Sequence, residues 1–579
     1  MPQHQINVGD LVLVSVKDPL KDGIEGTVLE KGSKFLTVIL SQKINPKLKY
    51  RIDLYVNDIT FKRMLATLEL FEKGHSKFDE EVVLGHKNPQ FEKEEKIDFI
   101  NKNLNQFQKE AVVRSLSAKQ IFLIHGPPGT GKTTTVIESI IQHVKRGNHV
   151  LATADSNTAV DNLVEGLLKY EINLVRIGHP ARLRQELLDQ SLDVKLTKHK
   201  DYQKIREIEN KIEKLKRQQE AFTKPVPAKR RGLTDMEILK YAKEGKKVRG
   251  HKIETIKSMA NWILLQQEIQ KLIEQKRKIE ERIINEIIDT SDVVLATNSG
   301  SQSDFLRDKT FDVVFIDEAA QATEPSCLMP LIKAPKAILA GDHKQLPPTI
   351  LSEEAKELAF TMFERFTKLY PQAVYMLQLQ YRMNETIMNF PSKEFYEGKL
   401  KAAEAVKTRK LSDLISIEEK DEIINDIPVI FIDTLGKYPE KQKKDSQSKY
   451  NPEEARLVKK IVEKLISAGM QQKDIGVITP YKDQEDLLQK LLPSDVEVKT
   501  VDGFQGREKE VIILSTVRSN KEGDIGFLED LRRLNVAITR PKRKLIVVGD
   551  SQTLSSHKTY KRLIEYIKNQ GKLITKDVV

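Results

Sequence analysis

Cysteine is nearly absent from this sequence, since Cys327 is the single one among 579 residues. One cysteine excludes an intramolecular disulfide and a cysteine-rich zinc module, and it is typical of a reducing compartment such as the cytoplasm or nucleus. No apolar run approaches the roughly 20 residues of a membrane span, and the first residues do not have the basic-then-apolar pattern of a secretory signal. We therefore expect a soluble, cytoplasmic protein with no membrane partner.

Acidic residues are the minority among the charged ones. Lys and Arg number 96 against 84 Asp and Glu, which gives a formal net charge of +12 at pH 7. An excess of this size helps to hold a polyanion, so on charge alone nucleic acid is a favoured partner. At about 100–200 residues per domain, the length predicts roughly three to five structural units.

A glycine-rich loop that ends in Lys-Thr follows an apolar run in the stretch IFLIHGPPGTGKTTTV, Ile121–Val136. The spacing matches G-x-x-x-x-G-K-[ST], in which backbone N–H groups surround phosphate oxygens, Lys132 adds charge near the β- and γ-phosphates and the Thr133 hydroxyl can hold Mg²⁺. A glycine-rich turn without a ligand is the alternative, but the full match between a strand and a helix favours a nucleoside triphosphate site. The residues predicted to bind the nucleotide are Gly126, Pro127, Pro128, Gly129, Thr130, Gly131, Lys132, Thr133 and Thr134.

Two sets of apolar strands that alternate with helices follow one another along the chain. The first set includes the runs that end at Asp155, Asp317 and Asp342, and the second begins near Pro428. Continuous apolar strands alternating with helices are typical of parallel sheets in doubly wound domains. Only the first set has a phosphate loop, so we expect two tandem α/β domains with one nucleotide at their seam.

The N-terminal part and the middle of the chain have different patterns. Short alternating strands, punctuated by Gly23, Gly26 and Gly32, predict a small β-barrel up to about residue 57, and the stretch Phe61–Phe71 predicts a helix leaving it. From about 192 to 287, strand signals disappear and isoleucines recur every three or four residues. These predict an inserted antiparallel helix pair with the basic loop Lys224–Gly232 between them. Its surface could contact nucleic acid or be an ordinary solvated face.

Two adjacent carboxylates, Asp317 and Glu318, end the apolar run FDVVFI. On its own such a pair could simply cap a helix. In a chain with a phosphate loop, Asp317 can hold Mg²⁺ opposite Thr133, while Glu318 can orient and deprotonate the attacking water.

Three further polar side chains are candidates for catalysis. Gln345 follows the next apolar run, on a loop expected beside Asp317, where its amide can sense the γ-phosphate. Arg382 and Arg540 come from the second half of the chain, and guanidinium groups stabilise the charge of a transferring phosphoryl group. A surface salt bridge is the ordinary role of a lone arginine. The predicted catalytic set is Lys132, Asp317, Glu318, Gln345, Arg382 and Arg540.

Ten ordered motifs, from Leu104 to near the end of the chain, resemble those of superfamily 1 helicases and, within them, the up-frameshift-like branch (superfamily 1B). The motifs are LNQFQ, HGPPGTGKTTTV, SNTAVDNLV, RIGHPARL, FIDEAAQATEP, AGDHKQLPPT, QYRMNETI, VITPYKDQ, TVDGFQGREKEVIILSTVRSN and GFLEDLRRLNVAITRPKR. The resemblance implies an α/β fold of two tandem RecA-like P-loop domains with an N-terminal β-barrel and an inserted α-helical hairpin subdomain. We expect the barrel and its stalk helix over residues 1–95, the first motor domain over 96–190 and 289–360, the helical insert over 191–288 and the second motor domain over 361–579.

The resemblance also implies roles for further residues and names ATP and Mg²⁺ as cofactors. Gln108 would hydrogen-bond the adenine, Tyr381 would stack on it, and Glu508 would lie near the ribose. Loops that follow a single strand in similar proteins, mostly through its backbone, carry Ser156, Asn157, Thr297, Asn298, Thr479, Pro480 and Thr500.

These expectations together predict a monomeric ATPase that moves 5′→3′ on single-stranded DNA or RNA and unwinds duplexes. The direction of movement is implied by the resemblance alone, because neither motif spacing nor charge indicates it. An ATP-gated clamp or ribonucleoprotein remodeller that does not unwind is the alternative, since it needs the same motifs. A nuclease-coupled enzyme is disfavoured because no further carboxylate cluster is evident. We expect no partners that require a zinc-finger or Cys/His-rich domain.

Overall fold

The computed structural model describes residues 6, 11–31, 35–40, 42, 44–46, 48–54, 58–178, 185–245, 248, 250–350, 352–417, 421–444, 446–575 and 577. The chain forms two compact units, one of Met1–Asp58 with Leu168–Lys309 and one of Ile59–Leu167 with Thr310–Val579. Gly32 and the part of the RIGHPARL motif from His179 onward lie outside the described residues.

The N-terminal elements form an antiparallel sheet in the order β3-β2-β1-β4. They are β1 (Leu11–Ser15), α1 (Pro19–Asp22), β2 (Ile24–Lys31), β3 (Leu36–Leu40) and β4 (Arg51–Leu54). Val12, Val14 and Val28 are buried in one small core with Ile6. The alternation seen in the sequence therefore places one face of the sheet inward, in agreement with a barrel-like domain.

The second unit begins with a helix and the phosphate-loop region. Its first elements are α2 (Ile59–Glu72), α3 (Glu80–Leu84), α4 (Gln106–Ser117), β5 (Ile121–His125), α5 (Lys132–Lys145), β6 (Val150–Ala154) and α6 (Asn157–Leu167). The helix α2 confirms the one predicted between Phe61 and Phe71. Every residue of β5 and β6 is buried, as the continuous apolar runs predict for central parallel strands.

The helical insert belongs to the first unit, between two short parallel strands. Its elements are β7 (Leu174–Arg176), α7 (Leu192–Lys198), α8 (Tyr202–Gln219), α9 (Pro227–Arg230), α10 (Asp235–Glu244), α11 (Ile253–Asp289) and β8 (Val293–Thr297). Ion pairs join Glu209 to Lys276 and Asp201 to Arg282, so α8 and α11 run antiparallel as predicted. The predicted hairpin is a simplification, however, because α10 also packs on α11 through a core around Ile238 and Ile263.

The second unit continues with the rest of the first α/β sheet. These elements are β9 (Val313–Asp317), α12 (Glu324–Leu331), β10 (Lys336–Gly341), α13 (Met362–Leu369) and β11 (Val374–Met376). Within this unit the strands pair in parallel in the order β11-β5-β10-β9-β6. Parallel pairing brings the carboxyl ends of β5, β9 and β10 to one edge, where the phosphate loop, Asp317 and the loop of Gln345 begin.

A second parallel sheet occupies the C-terminal part of this unit, in the order β18-β17-β19-β20-β14-β21. The elements are β12 (Leu379–Gln380), α14 (Glu385–Phe395), β13 (Lys401–Ala402), α15 (Glu404–Lys407), β14 (Val429–Asp433), β15 (Lys441–Gln442), β16 (Lys449–Tyr450), α16 (Pro452–Ser467), β17 (Ile475–Thr479), α17 (Lys482–Leu491), β18 (Glu497–Thr500), β19 (Lys509–Ser515), α18 (Leu531–Ile538), β20 (Pro541–Gly549), α19 (Ser551–Leu554), α20 (Lys558–Gln570) and β21 (Lys572–Thr575). Two such sheets confirm the tandem RecA-like α/β architecture predicted from the sequence.

Among the described residues, no helix combines the length and the apolar composition that crossing a membrane requires. Cys327 is buried in α12, and burial raises the pKa of its thiol above the ordinary value. A packing role for Cys327 follows, because the thiolate is the reactive form.

Candidate active site

The phosphate loop folds between β5 and α5 because three of its residues are glycines. Gly129 and Gly131 both have φ near +75°, a conformation that residues with a Cβ rarely adopt. At Gly126 the constraint is space, since a Cβ there would lie 2.6 Å from Cβ of Lys132. The loop therefore turns tightly enough for Lys132 to begin α5 and for backbone N–H groups to face a bound anion.

Lys132 lies between the two predicted carboxylates. Its Nζ is 3.2 Å from Oδ1 of Asp317 and 2.7 Å from Oε1 of Glu318. Burial alone would lower the pKa of Lys132, but the two carboxylates outweigh burial and raise it. The lysine is therefore fully charged at neutral pH, and the three residues form one electrostatic unit.

Glu318 has a backbone conformation that is unusual for a residue with a side chain. Its φ is +53°, in the left-handed region, at the end of β9. Its backbone N–H donates to Oδ1 of Asp317 at 2.9 Å, and Nε2 of Gln321 donates to Oε2 of Glu318 at 2.7 Å. These bonds hold a conformation that costs about 1–2 kcal/mol, and such strain is concentrated at functional sites.

Gln345 connects the first motor domain to an arginine of the second. Its Nε2 donates to Oδ2 of Asp342 at 2.7 Å, and its Oε1 accepts from Nη2 of Arg540 at 2.7 Å. Because the carboxylate of Asp342 can only accept, it fixes which end of the amide faces Arg540. Gln345 therefore orients the guanidinium in this structure.

Asp342 is the centre of a buried network that sequence reasoning missed. Its Oδ1 lies 2.9 Å from Nε2 of His125, and its Oδ2 accepts from the Tyr396 hydroxyl at 2.8 Å. That hydroxyl accepts from Nδ2 of Asn535 at 2.8 Å. Burial alone would raise the pKa of Asp342, but His125, Gln345 and Tyr396 together lower it to about 2. The charge of Asp342 thus stabilises contacts between the two motor domains.

Arg382 and Arg540 have different surroundings. Nε of Arg382 donates to Oε2 of Glu508 at 2.6 Å, and Lys542 lies 3.2 Å from the other oxygen of that carboxylate. Burial would raise the pKa of Glu508, but Arg382 and Lys542 lower it. In contrast, Arg540 donates to neutral oxygens, those of Val536, Arg507 and Gln345. Arg540 therefore keeps a buried charge, and no carboxylate among the described residues forms a hydrogen bond with it.

The residues predicted at the adenine lie around the start of α4. Nδ2 of Asn105 donates to the hydroxyl of Tyr381 at 3.0 Å, and Tyr381 is 41% exposed. Gln108 is buried, and its amide donates to the carbonyl of Thr130 and accepts from N–H of Asn105, both at 3.0 Å. Tyr381 is therefore partly open to solvent, whereas the buried Gln108 holds the phosphate loop through its hydrogen bond to Thr130.

One cavity of about 740 Å³ brings most of the predicted residues together. Its lining combines the loop from Gly126 to Thr134 with Glu318, Gln345, Tyr381, Arg382, Glu508, Arg540 and the predicted strand-contact residue Ser156. Asp317 reaches the same place through its contact with Lys132. Sequence reasoning missed Thr158, Ala159, Asn162, Gln321, Gly503, Gln505, Gly506 and Arg507, which also line the cavity. All eight belong to motifs that were recognised, but nothing in the spacing indicated which members line the cavity.

The other predicted strand-contact residues do not line this cavity. Asn157 is the first residue of α6, and Thr500 accepts from N–H of Gly503 at 3.3 Å. Thr479 is fully buried at the end of β17, and its hydroxyl has no hydrogen-bond partner among the described residues, while Pro480 is partly exposed. Thr297 and Asn298 belong to the first unit, at the end of β8, where the Thr297 hydroxyl accepts from N–H of Gly300 at 3.0 Å.

Comparison with known proteins places these features in a family. Two family models, both described as AAA domain, match residues 103–353 and 358–552. The protein named Uncharacterized ATP-dependent helicase MJ0104, from Methanocaldococcus jannaschii, is 47% identical over 98% of this chain and 86% of that protein. DNA-binding protein SMUBP-2 from Rattus norvegicus is 40% identical over 91% of this chain and 51% of that protein. Regulator of nonsense transcripts 1 from Dictyostelium discoideum is 32% identical over 91% of this chain and 38% of that protein.

The chain thus spans most of the Methanocaldococcus jannaschii relative and about half or less of the other two. An identity of 47% across nearly the whole length is far above what a shared fold alone produces, and the ten motifs quoted above lie within the matched residues. The chain therefore belongs to the up-frameshift-like branch of the superfamily 1 ATP-dependent helicases.

Proposed function

We propose that this protein couples ATP hydrolysis to 5′→3′ movement along single-stranded DNA or RNA and unwinds the duplex ahead of it. The observation that supports this most strongly is the cavity shared by the two motor domains. Lys132 and Glu318 line it from the first domain, and Arg382 and Arg540 line it from the second. A nucleotide bound there would contact both domains, so its hydrolysis can change how they are held together.

The phosphate loop would hold the β- and γ-phosphates, with Lys132 as the positive charge. Thr133 and Asp317 would hold Mg²⁺, whose preferred ligands are hydroxyl and carboxylate oxygens. The residues fit the ion, because the carboxylate of Asp317 faces the phosphate loop at 3.2 Å from Nζ of Lys132. The ion would neutralise negative charge on the phosphates.

Glu318 is the proposed base for the attacking water. Nζ of Lys132 lies 2.7 Å from Oε1 of Glu318. A bound phosphate would compete with this carboxylate for the same ammonium group. ATP binding would therefore release Glu318 from the ion pair and raise its ability to accept a proton. Arg540, oriented by Gln345, would stabilise the charge of the transferring phosphoryl group. Arg382, which is paired with Glu508, would stabilise the same charge as a second guanidinium.

Movement would follow from the alternate closing and opening of the shared cavity. The loops that carry Ser156, Asn157, Thr297, Asn298, Thr479, Pro480 and Thr500 would hold the strand, mostly through phosphates. Phosphate contacts do not require a 2′-hydroxyl, so both DNA and RNA are proposed substrates. We also propose that the protein acts as a monomer in the cytoplasm, with the five domain segments given above.

A strand-displacement assay tests the function. A duplex with a 5′ single-stranded tail should be unwound with ATP and Mg²⁺, and a duplex with a 3′ tail should not. Lys132→Ala should abolish unwinding and ATP hydrolysis while single strands still bind, because the lysine contacts the phosphates.

Each other outcome has a definite meaning. Preferential unwinding of the 3′-tailed duplex would refute the proposed direction. ATP hydrolysis with displacement of streptavidin from a biotinylated strand, but without unwinding of either duplex, would identify the chain as a remodeller. Hydrolysis that persists in Lys132→Ala would refute the site itself.

A further inference from the structure

Phe527 is an exposed aromatic residue in the loop that joins β19 to α18. The residue is 55% exposed. Single exposed apolar residues are common and need no special explanation. Phe527 is different because of the way the loop around it is held and because of the loops that meet at its ring.

The loop is fixed to the domain beneath it through Arg518. This arginine is nearly fully buried, and it donates to the Tyr481 hydroxyl at 3.0 Å, to Glu440 at 2.8 Å and to Asp524 at 2.8 Å. Gly526 allows the close approach, since it has φ of +51° and a Cβ there would overlap the Arg518 guanidinium. Phe527 is therefore presented by a rigid support, so little conformational entropy is lost when its ring is covered.

One predicted strand-contact loop contacts the ring of Phe527 directly, and a second is connected to it through Arg533. The ring of Tyr481, which follows Thr479 and Pro480, lies with its centroid 5.5 Å away. The guanidinium of Arg533 lies 5.6 Å from the ring centroid, and its Nε is 3.5 Å from Oδ2 of Asp502, two residues after Thr500. An exposed ring next to a cation and between these loops has the composition of a platform for a nucleic-acid base.

The seam between the motor domains is also close. Arg533 and Asp502 line a small cavity of about 190 Å³ together with Pro347 and Pro348, on the loop that follows Gln345. A change in that loop on ATP binding or hydrolysis would change the shape of the cavity that Arg533 also lines. The platform thus lies where strand binding and the nucleotide site can influence each other.

We propose that Phe527 stacks on one base of the bound single strand, while the neighbouring loops hold its phosphates. This inference rests on the proposed function, because it requires a single strand on the second motor domain. Stacking is tolerant of sequence, since every base has a flat face, so Phe527 would add affinity for bases without selecting among them.

A comparison of two oligomers isolates the stacking contact. One is a strand of 12 deoxythymidine nucleotides. The other has the same number of sugars and phosphates but carries no bases. Phe527→Ala should reduce the preference for the strand with bases about tenfold, which is within the range measured for one stacked base. Phe527→Trp should keep the preference, and its ATPase rate without nucleic acid should equal that of the wild type. Phe61→Ala is the matched control, because Phe61 on α2 is 59% exposed and carries no predicted contact.

Three results would count against the inference or its basis. An unchanged preference in Phe527→Ala would overturn the stacking. Equal weakening on both oligomers would also overturn it and would assign Phe527 to shaping the neighbouring loops. If the wild type binds neither oligomer, the proposed function itself is wrong, and this result is separate from any effect of Phe527.

Discussion

At the scale of single residues, the two arginines of the shared cavity differ in whether a carboxylate neutralises their charge. Arg382 is neutralised in part by Glu508, whereas Arg540 donates to neutral oxygens. Burial, together with repulsion from Arg382, lowers the pKa of Arg540 to about 9, which still leaves it charged at neutral pH. A buried guanidinium without a carboxylate partner is costly unless an anion arrives, and the γ-phosphate of ATP would be that anion.

Replacing Arg540 should therefore affect catalysis more than substrate binding. In Arg540→Ala we expect kcat to fall about 10³-fold or more with a small change in KM, because guanidinium groups of this kind act on the transition state. Arg540→Lys should not restore the rate, since one ammonium cannot replace donors to Val536, Arg507 and Gln345 at once. Steady-state ATPase assays measure both constants.

The control is Arg562→Ala, because Arg562 is half-exposed and pairs with Glu394 outside the cavity. It should leave kcat unchanged. Normal kcat per folded molecule in Arg540→Ala, accompanied by a lower melting temperature, would assign Arg540 a structural role instead.

A buried acid in the second motor domain gives a pH-dependent stability. Glu454 lies in the first turn of α16, and its Oε1 accepts from Ser515 at 2.6 Å and from N–H of Val517 at 3.0 Å. Burial raises its pKa from 4.5 to about 7 despite these bonds. The folded state therefore binds more protons than the unfolded state between these pH values. Stability is lost as pH rises through this window, by an amount on the order of 3 kcal/mol.

Glu454→Gln should remove this dependence while keeping an oxygen that can accept both bonds. The melting temperature of the wild type should fall relative to that of the variant as pH rises from about 5 to 8. Glu463→Gln, on the exposed side of the same helix, is the control and should track the wild type. A difference between wild type and Glu454→Gln that does not change with pH would show that Glu454 is already ionised in the folded protein.

At the scale of structural elements, the sequence predicts what depends on neighbouring residues. The apolar runs gave the buried strands β5, β6, β9 and β10, because a strand covered on both faces needs a continuous apolar stretch. The glycine spacing gave the phosphate loop in the same way. In the insert, Lys276 interrupts the stripe of isoleucines, and the fold explains it through an ion pair with Glu209 on the facing helix.

Contacts between distant residues were not predictable from spacing. Tyr396 and Asp342 are 54 residues apart, and Asn535 is 139 residues from Tyr396, yet they share one hydrogen-bonded network. A tyrosine or asparagine has the same local pattern whether it is exposed or buried in a seam. The roles of Gln345 and Glu508 were similarly inferred from motifs, but their partners Arg540 and Arg382 became evident only from the fold.

Gly129 in the phosphate loop and Gly147 after α5 allow a test at the scale of elements, because their backbone strain is similar and their neighbours differ. A Cβ at Gly129 would lie 2.7 Å from Cβ of Arg382 on the second motor domain, whereas one at Gly147 would meet nothing within 4 Å. Both glycines have similar positive φ, +75° and +80°. Gly147→Ala should lose about 1 kcal/mol of stability to backbone strain. Gly129→Ala should lose at least as much, because the contact with Arg382 adds to the same strain. Only Gly129→Ala should reduce kcat, because it pushes Arg382 away from the loop.

ATPase assays and melting curves on the two variants measure both effects. Equal kcat in Gly129→Ala and Gly147→Ala would show that the approach of Arg382 to the loop is not needed for hydrolysis. A large loss of stability confined to Gly129→Ala would show that the seam contributes to folding in the absence of nucleotide.

At the scale of the whole molecule, the nucleotide cavity and the proposed strand-contact residues Ser156, Thr479 and Thr500 belong to the same two motor domains. Closing of the cavity would bring Arg540 and Gln345 to the phosphates. It would also change the distance between the loop of Ser156 on the first motor domain and the paired strand ends at Thr479 and Thr500 on the second. Binding at either place should therefore favour the same closed arrangement, and the coupling must be reciprocal for the two binding equilibria. ATP should increase the affinity of the protein for a single strand, and a single strand should increase its affinity for ATP.

Single-stranded nucleic acid should consequently stimulate ATP hydrolysis, and both poly-dT and poly-U should do so because the proposed contacts are mainly to phosphates. Stimulation at a fixed, subsaturating strand concentration should shrink as salt rises from about 50 to 200 mM, since each neutralised phosphate releases counterions on binding. The rate without nucleic acid at each salt concentration is the control, and Arg540→Ala should bind strands without being stimulated. A rate indifferent to both polymers at low salt would mean that the cavity and the loops are not coupled. The protein would then be a nucleotide-controlled switch, because a motor must hydrolyse faster on its track than away from it.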